Sequence, residues 1–246
     1  MTRQRDPWFD DDYWANALHV VTSHQDRQRA RSLRDPASVV NPTGILAAAA
    51  SVPRAVLAEM SVLYSMGAGR GDLQQCFAKV LPAQEHLVQV ATRVPSKLAV
   101  LDVRARRDVY DTAVTALAWS VILDEPGPAL SNWESGLKDI VLTTLAREEG
   151  AVAKSVFWPE TFARLAAALE GASEGAAEDV AAFLAGWLGT SRESAWYGSL
   201  ADARRHPEDA RYHGYWAVEA AAVVALRDLD DSAFSRSPHY PRDVIS

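Results

Sequence analysis

Apolar side chains recur every three to four positions along most of this sequence, which is the spacing of amphipathic α-helices. The pattern predicts one helix after an acidic cap region at Asp10–Asp12, a second that opens near Ser51 with Pro53 near its first turn, and a third capped by Asp72. Pro82 is expected to end or kink the third helix near its middle. Further helices are predicted over residues 106–123, from Pro159, from near Ser173, and from about residue 209 to residue 227.

The fold class follows from this periodicity. No strand-length run of alternating apolar and polar residues is bounded by hairpin turns, and no tandem period marks a solenoid. We therefore predict an all-α protein, a helical bundle or array of about eight to ten helices. A Pro/Gly-rich break at Asp124–Asn132 separates an N-terminal helical part, residues 1–125, from a C-terminal helical part, residues 126–246. Each part would be small alone, so we expect the two halves to pack together.

Composition places the chain among soluble globular proteins. Of its 246 residues, 48% are hydrophobic and 23% are charged. The single cysteine, Cys76, excludes an internal disulfide and fits a reducing compartment. The first residues contain no apolar signal region, and we expect no membrane-spanning segment. The expected location is therefore the cytoplasm.

The net charge of −7 argues against direct binding of nucleic acid, because nucleic-acid binders usually carry a basic stripe that neutralises phosphates. A basic protein partner fits this charge. The acidic residues fall in clusters, each typical of a solvated face or of the charge preference at a helix N-terminus. The clusters are Asp10, Asp11 and Asp12; Glu148 and Glu149; and Glu170, Glu174, Glu178 and Asp179. Together they form a candidate surface that could steer a basic partner.

No motif of enzymatic chemistry stands out. The six histidines are scattered, and none has the spacing of a zinc site or of His-Glu-x-x-His. The glycine-rich stretch Gly67–Asp72 joins two predicted helices and lacks the residues that complete a phosphate-binding loop. Cys76 lies in an amphipathic stretch and is expected in the core. We predict no enzymatic activity, no cofactor and no metal.

Glu219 is the most unusual position of the C-terminal segment, because the 3.6-residue repeat of the predicted last helix places it on an apolar face. The other members of that face are Tyr212, Trp216, Val223 and Leu226. A buried carboxylate must be paired, protonated or turned toward a cavity, so Arg242, Trp216 and Tyr240 are candidate partners. We interpret Glu219 as a satisfied structural carboxylate, and a catalytic acid is the alternative.

The residues after the last helix are expected to hold the tail on the scaffold. Asp231 or Ser232 can cap a short turn. Tyr240 and Pro241 form a rigid amphipathic anchor, which we expect to fold back over the face of Trp216. Calcium ligation would need a glycine and a terminal glutamate that this segment lacks.

A set of positions in the C-terminal segment matches a known family signature. They are Gly214, Tyr215, Trp216, Glu219, Ala220–Ala222, Asp230, Asp231, Ser232, Tyr240, Pro241 and Asp243. Upstream, the stretch that contains Trp187 and Trp196, and the N-terminal stretch LYSMGAGRGDLQQCFAKVL, are similar to further segments of the same family. In these residues the chain resembles the PoNi family of immunity proteins. His239 stands where the family pattern has a second tyrosine.

The resemblance implies a helical, non-enzymatic immunity protein. Proteins of this family neutralise PoNe-type DNase toxins that competing bacteria deliver, chiefly by type VI and related secretion systems. The resemblance also implies that the signature residues are fold determinants; they are Tyr215, Trp216, Glu219, Asp230, Asp231, Tyr240, Pro241 and Asp243. The expected mechanism is stoichiometric occlusion of one cognate toxin, whose basic DNA-binding groove could receive the acidic clusters. The sequence leaves open whether the free protein forms a homodimer.

Two other classes of function remain alternatives. One is an all-α enzyme that uses Glu219, His213 and Asp230 as an acid/base or metal cluster. Bound metal, or an open cleft that contains all three residues, would favour it. The other is a general helical adaptor with several partners, and tight one-to-one binding to a single partner would argue against it.

Overall fold

The computed structural model describes residues 4–94, 106–125, 158–170 and 173–245. Within these ranges the chain forms α-helices, short 3-10 turns and loops, without a β-strand, which confirms the predicted all-α class. The α-helices are α1 (Asp11–Ser32), α2 (Thr43–Ser65), α3 (Arg70–Phe77), α4 (Val80–Arg93), α5 (Arg107–Leu123), α6 (Pro159–Glu170), α7 (Ser173–Thr190), α8 (Ser199–Arg205) and α9 (Val218–Arg227).

The chain folds into two compact units. Unit 1 comprises Met1–Thr112 and Gly198–Gly214, and unit 2 comprises Ala113–Tyr197 and Tyr215–Ser246. The boundary therefore lies within α5, and a later segment that contains α8 returns to unit 1. The predicted parts, residues 1–125 and 126–246, have different bounds, because local sequence does not show which distant segments pack together. Most of the predicted linker lies outside the described residues.

Helix α2 is the central helix of unit 1, and both α1 and α4 pack against it. Among the described helices it is the one long and apolar enough to cross a membrane, a property that the sequence pattern did not single out. However, 67% of its most apolar stretch is buried inside the protein, as expected of a core helix. Its apolar surface is therefore used for packing within unit 1.

The predicted start of α2 near Ser51 is wrong, because the helix begins at Thr43. The first turns of α2 contribute to a buried apolar cluster that includes a residue of α4. Its members are Ile45, Leu46, Ala49 and Val90. Tertiary packing of this kind stabilises helical turns that local signals do not specify. Pro53 consequently lies inside the helix instead of in its first turn.

The predicted third helix is two helices, α3 and α4, which are separated at Ala78 and Lys79. Pro82 lies in the first turn of α4, where a backbone N–H has no helical partner in any case. The break predicted for this proline therefore occurs a few residues before it. Asp72 is not the N-cap of α3: that position is Gly69, whose N–H donates to the Asp72 Oδ2 at 3.2 Å.

The last long helix is shorter than predicted. Helix α9 begins at Val218, and residues 210–217 are not helical. Gly214 has a φ of 99°, in the left-handed region that interrupts a right-handed helix and that glycine adopts readily. The predicted helical face that joins Tyr212 to Glu219 is therefore wrong.

A phenol from α1 holds the backbone of Tyr212. The Tyr13 hydroxyl donates to the Tyr212 C=O and accepts from the Tyr212 N–H, both at 3.0 Å. The Tyr212 hydroxyl donates in turn to the buried Asp6 carboxylate at 2.7 Å. Burial raises the pKa of Tyr13 to about 12, so the phenol remains a donor at neutral pH. These bonds replace the helical hydrogen bonds of Tyr212 and fix it to α1.

Helices α6 and α7 pack against each other in unit 2, and α9 packs against both. The Thr161 hydroxyl at the start of α6 donates to the Thr190 C=O at the end of α7, at 2.9 Å. The small side chains of Ala220–Ala222 are fully buried, which lets the α9 backbone approach its neighbours. The Arg227 guanidinium at the end of α9 donates to the Leu169 C=O of α6.

We expect Tyr13→Phe to lower the free energy of unfolding by about 1–3 kcal/mol, because it removes two buried hydrogen bonds at once. Denaturant unfolding followed by circular dichroism measures the change. Tyr197→Phe is the matched control, since Tyr197 is 41% exposed, and it should change the free energy by less than about 0.5 kcal/mol. Equal effects of the two substitutions would contradict the role assigned to Tyr13.

Candidate functional site

The C-terminal tail after α9 returns to the segment that precedes α9. The Ala217 N–H donates to the His239 C=O at 2.8 Å, and the His239 Nδ1 lies 3.1 Å from the Tyr215 C=O, to which it can donate. The ring of His239 also lies 5.5 Å from that of Trp187, which stacks on Trp196 at 4.9 Å. His239 thus takes the place of the expected tyrosine within an aromatic cluster of unit 2.

Glu219 is buried in α9, with 7% of its surface exposed. Its Oε1 accepts a hydrogen bond from the Thr115 Oγ1 of α5 at 3.0 Å, so the bond joins two helices. Arg242, one of the predicted partners, forms an ion pair with Asp231 at 3.5 Å between Nε and Oδ2. The sequence pattern did not point to Thr115, because a threonine in an amphipathic helix carries no local sign of its partner.

The two aspartates after α9 have different contacts. The Asp230 carboxylate accepts from the N–H and the hydroxyl of Ser232, at 3.0 and 2.9 Å, and these bonds lower the pKa of Asp230. The side chain that caps the turn is therefore that of Asp230, whereas the sequence pattern named Asp231 or Ser232. The Asp231 C=O accepts from the Phe234 N–H at 3.0 Å, and its side chain pairs with Arg242.

Tyr240 anchors the tail in unit 2. It is buried, and its ring packs edge-on against Phe234 with the centroids 5.2 Å apart. Burial, reinforced by the nearby Asp231 carboxylate, raises the pKa of Tyr240, so the phenol stays protonated at neutral pH. Pro241 beside it is also buried, whereas Asp243 is exposed in the 3-10 turn that follows.

Apart from Gly214, which ends a segment of unit 1, the signature positions of the C-terminal segment belong to unit 2. Tyr215, Glu219 and Tyr240 are buried, Trp216 is partly exposed, and Asp230 is exposed. The buried members connect the tail, α5 and α9 by hydrogen bonds and ring contacts. This geometry supports the structural interpretation of the signature, and the exposed members are the ones that a partner could reach.

The first acidic cluster lies at the start of α1 in unit 1. Asp10 is the N-cap, and its carboxylate accepts from the Tyr13 N–H at 2.9 Å. Asp11 and Asp12 follow in the first turn and are exposed. Asp10 is therefore explained by capping, and its two neighbours present free negative charge at a helix N-terminus.

Glu170 of the third acidic cluster ends α6, and its other three members lie on α7, both in unit 2. Glu178 is exposed, and Asp179 pairs with Arg164 of α6 at 2.9 Å. The remaining predicted acidic residues cannot be placed in the same way. Glu148 and Glu149 lie outside the described residues, and the side chains of Glu170 and Glu174 are not described. The acidic toxin-binding surface therefore stays a prediction.

The alternative acid/base cluster draws on both units. His213 belongs to unit 1, whereas Glu219 and Asp230 belong to unit 2. Burial lowers the pKa of His213 to about 4, and the charge of His24 contributes in the same direction. In the part of the chain that the structure describes, no group of three His, Cys, Asp or Glu side chains is arranged to hold a metal ion.

Unit 1 also contains an open cavity of about 460 Å³ beside α2, α3 and the start of α4. It is lined by Glu59, Leu63, Met66, Ala68, Asp72, Gln75, Cys76 and Lys79. The size lies within the range of roughly 300–1,000 Å³ that is typical of ligand pockets.

Glu59 is the buried charge of this cavity, with 5% of its surface exposed. Its Oε1 accepts from the Lys79 Nζ at 2.6 Å, and its Oε2 accepts from the Gln25 Nε2 at 2.8 Å. The sequence pattern singled out Glu219 but not Glu59, although both are lone carboxylates in apolar helical stretches. A carboxylate at an apolar helical position, the pattern that pointed to Glu219, would also have pointed to Glu59.

The Glu59 carboxylate in the cavity raises the pKa values of neighbouring groups. Burial opposes the charge of Lys79, but its hydrogen bond to Glu59 and the charge of that carboxylate outweigh burial, so the pKa of Lys79 is raised. Burial, followed by the Glu59 charge, raises the pKa of the Cys76 thiol to about 12. Cys76 is therefore a neutral thiol at physiological pH, as expected of a core cysteine and not of a nucleophile.

The C-terminal part of the chain matches a known protein family. Residues 137–244 match the family model of PoNe immunity proteins (PoNi), C-terminal. Among solved structures, "The Crystal Structure of Protein PA2201 from Pseudomonas aeruginosa" matches with a TM-score of 0.65 and 19% identity, over 99% of this chain and 90% of that chain. This likeness shows a shared fold. No curated protein matches the chain.

We expect Glu219→Gln to lower the free energy of unfolding by about 1 kcal/mol, because hydrogen bonds to charged groups are stronger than neutral ones. Combined with Thr115→Val, the two losses should not add, and a double-mutant cycle should give a coupling of about 0.5–3 kcal/mol. Thermal and denaturant unfolding measure both. Glu178→Gln, at an exposed position, is the control. Strictly additive effects would rule out the Thr115–Glu219 bond.

The stability of the protein should fall as the pH falls from about 6.5 to about 4, because the folded His213 resists protonation while the unfolded one binds a proton. The contribution amounts to at most about 3 kcal/mol. His213→Gln should reduce this acid slope, whereas His206→Gln, at an exposed position, should leave it unchanged. Melting temperatures across this pH range provide the measurement, and an unaltered slope in His213→Gln would contradict the assignment.

Proposed function

The C-terminal part of this chain matches the PoNi family of PoNe immunity proteins, and from that premise we propose that the protein binds one cognate PoNe-type DNase toxin and blocks it stoichiometrically. The observation that carries the proposal is the family match over residues 137–244. This range contains the whole C-terminal signature. An immunity protein of this kind protects the producing cell and its kin by binding, without turnover.

The geometry of unit 2 supports a binding role. The signature residues hold the tail through buried contacts, such as the edge-on packing of Tyr240 on Phe234. Such contacts create a fixed surface, and a pre-organised surface loses less entropy when a partner binds. A DNase with a basic DNA-binding surface is the partner that we propose.

The charge of the chain supports the same partner. The net charge of −7 is opposite to that of a DNA-binding surface, and Asp11, Asp12 and Glu178 present exposed carboxylates. Charges at the rim of an interface mainly raise the association rate and make it dependent on salt. We therefore assign these acidic residues to steering of the toxin.

The proposed site of action is the cytoplasm of the producing cell, where a toxin from a sister cell would meet its target. The lone buried Cys76 fits a reducing compartment. Delivery of the toxin by a type VI or related secretion system belongs to the same proposal.

Co-expression with the toxin-like protein encoded beside this one tests the proposal. We expect survival of the cells, intact DNA, and a complex that comigrates in gel filtration. A PoNe-type toxin from an unrelated strain is the control and should kill in the presence of this chain. Death with the cognate toxin and separate elution would refute neutralisation by binding.

A further inference from the structure

The cavity of unit 1 carries a net negative lining. Two carboxylates, Glu59 and Asp72, face one ammonium group, that of Lys79. Glu59 is buried, whereas the side chain of Lys79 is 49% exposed. A cation that enters the cavity therefore meets more negative than positive charge, and the one competing cation can move toward solvent.

Both carboxylates keep room for further donors. A carboxylate offers about four acceptor positions. Glu59 accepts from Lys79 and Gln25, with the weak thiol donor of Cys76 adjacent. Asp72 accepts from the Gly69 N–H. An added guanidinium or ammonium group would find unused acceptors on both side chains.

The remaining walls suit a long side chain. Leu63 and Met66 are partly buried apolar residues, and Gln75 adds an exposed amide at the mouth. Arginine combines an apolar stem with a planar head that can bind two carboxylates. Its guanidinium is also more weakly hydrated than an ammonium, so it loses less hydration when it enters a partly open cavity.

We propose that this cavity receives an arginine side chain of the cognate toxin, whose guanidinium is bound by the carboxylates of Glu59 and Asp72. The inference rests on the proposed function and specifies where the toxin is held. A DNase that binds phosphates presents arginines on its basic surface. An arginine bound in the cavity would no longer be available to contact DNA.

Anchoring in this cavity differs physically from steering by the exposed clusters. Truncation of a buried charge pair mainly raises the dissociation rate, whereas removal of a rim charge mainly lowers the association rate. Asp72 and Asp12 are matched for a test of this difference, because both are exposed aspartates in the first turn of a helix of unit 1. Each can be replaced by asparagine.

The first experiment blocks the cavity. Gln75→Trp places an indole at its mouth, and Gln89→Trp places one at another exposed position, in α4 and outside the cavity lining. We expect Gln75→Trp to raise the dissociation rate of the toxin complex about tenfold or more, and Gln89→Trp to leave it unchanged. Surface plasmon resonance measures the rates, and circular dichroism melts verify that both variants fold.

The second experiment separates anchoring from steering. Asp72→Asn should speed dissociation several-fold with little change in association, and Asp12→Asn should slow association and flatten its salt dependence. Parental dissociation rates for both Gln75→Trp and Asp72→Asn would overturn the cavity assignment while leaving the proposed function intact. Absence of any complex with the parent chain would refute the proposed function and the cavity assignment together.

Discussion

A carboxylate inside an apolar helix needs hydrogen-bond donors, because an isolated buried charge costs several kcal/mol. This chain contains such a residue in each of its two units. Glu59 in α2 receives donors from Gln25 of α1 and from Lys79 between α3 and α4. Glu219 in α9 receives a donor from Thr115 of α5. The requirement for donors thus connects each core helix to its neighbours, and the packing of each unit depends on it.

The two carboxylates differ in what lies beside them. Glu219 is enclosed by packed helices and accepts from a neutral hydroxyl, which suits a structural role. Glu59 borders an open cavity, and its charged partner Lys79 is half exposed. The same chemistry therefore serves the fold at one position and offers a binding site at the other. The two sites differ because a second cation can reach Glu59 through the cavity, whereas Glu219 is enclosed.

Elements whose signals are local were predicted well from the sequence. The starts of α6 at Pro159 and of α7 at Ser173, and the extent of α5, follow from caps, proline and apolar spacing. The start of α2 and the course of residues 210–217 were predicted wrongly. In both cases a residue far away in the sequence determines the local structure. An apolar cluster with Val90 stabilises the first turns of α2, and the hydroxyl of Tyr13 binds the backbone of Tyr212.

The sequence by itself determined the all-α class and the resemblance of the C-terminal part to PoNe immunity proteins, because periodicity, caps and motifs depend on residues close together in the chain. It also marked Glu219 as a carboxylate in need of a partner. Only the tertiary structure decided that Thr115 donates to Glu219, that Gly198–Gly214 joins unit 1, and that Glu59 borders a cavity. Hydrogen-bond partners and concave surfaces arise where segments far apart in sequence meet, and apolar spacing carries no information about which segments those are.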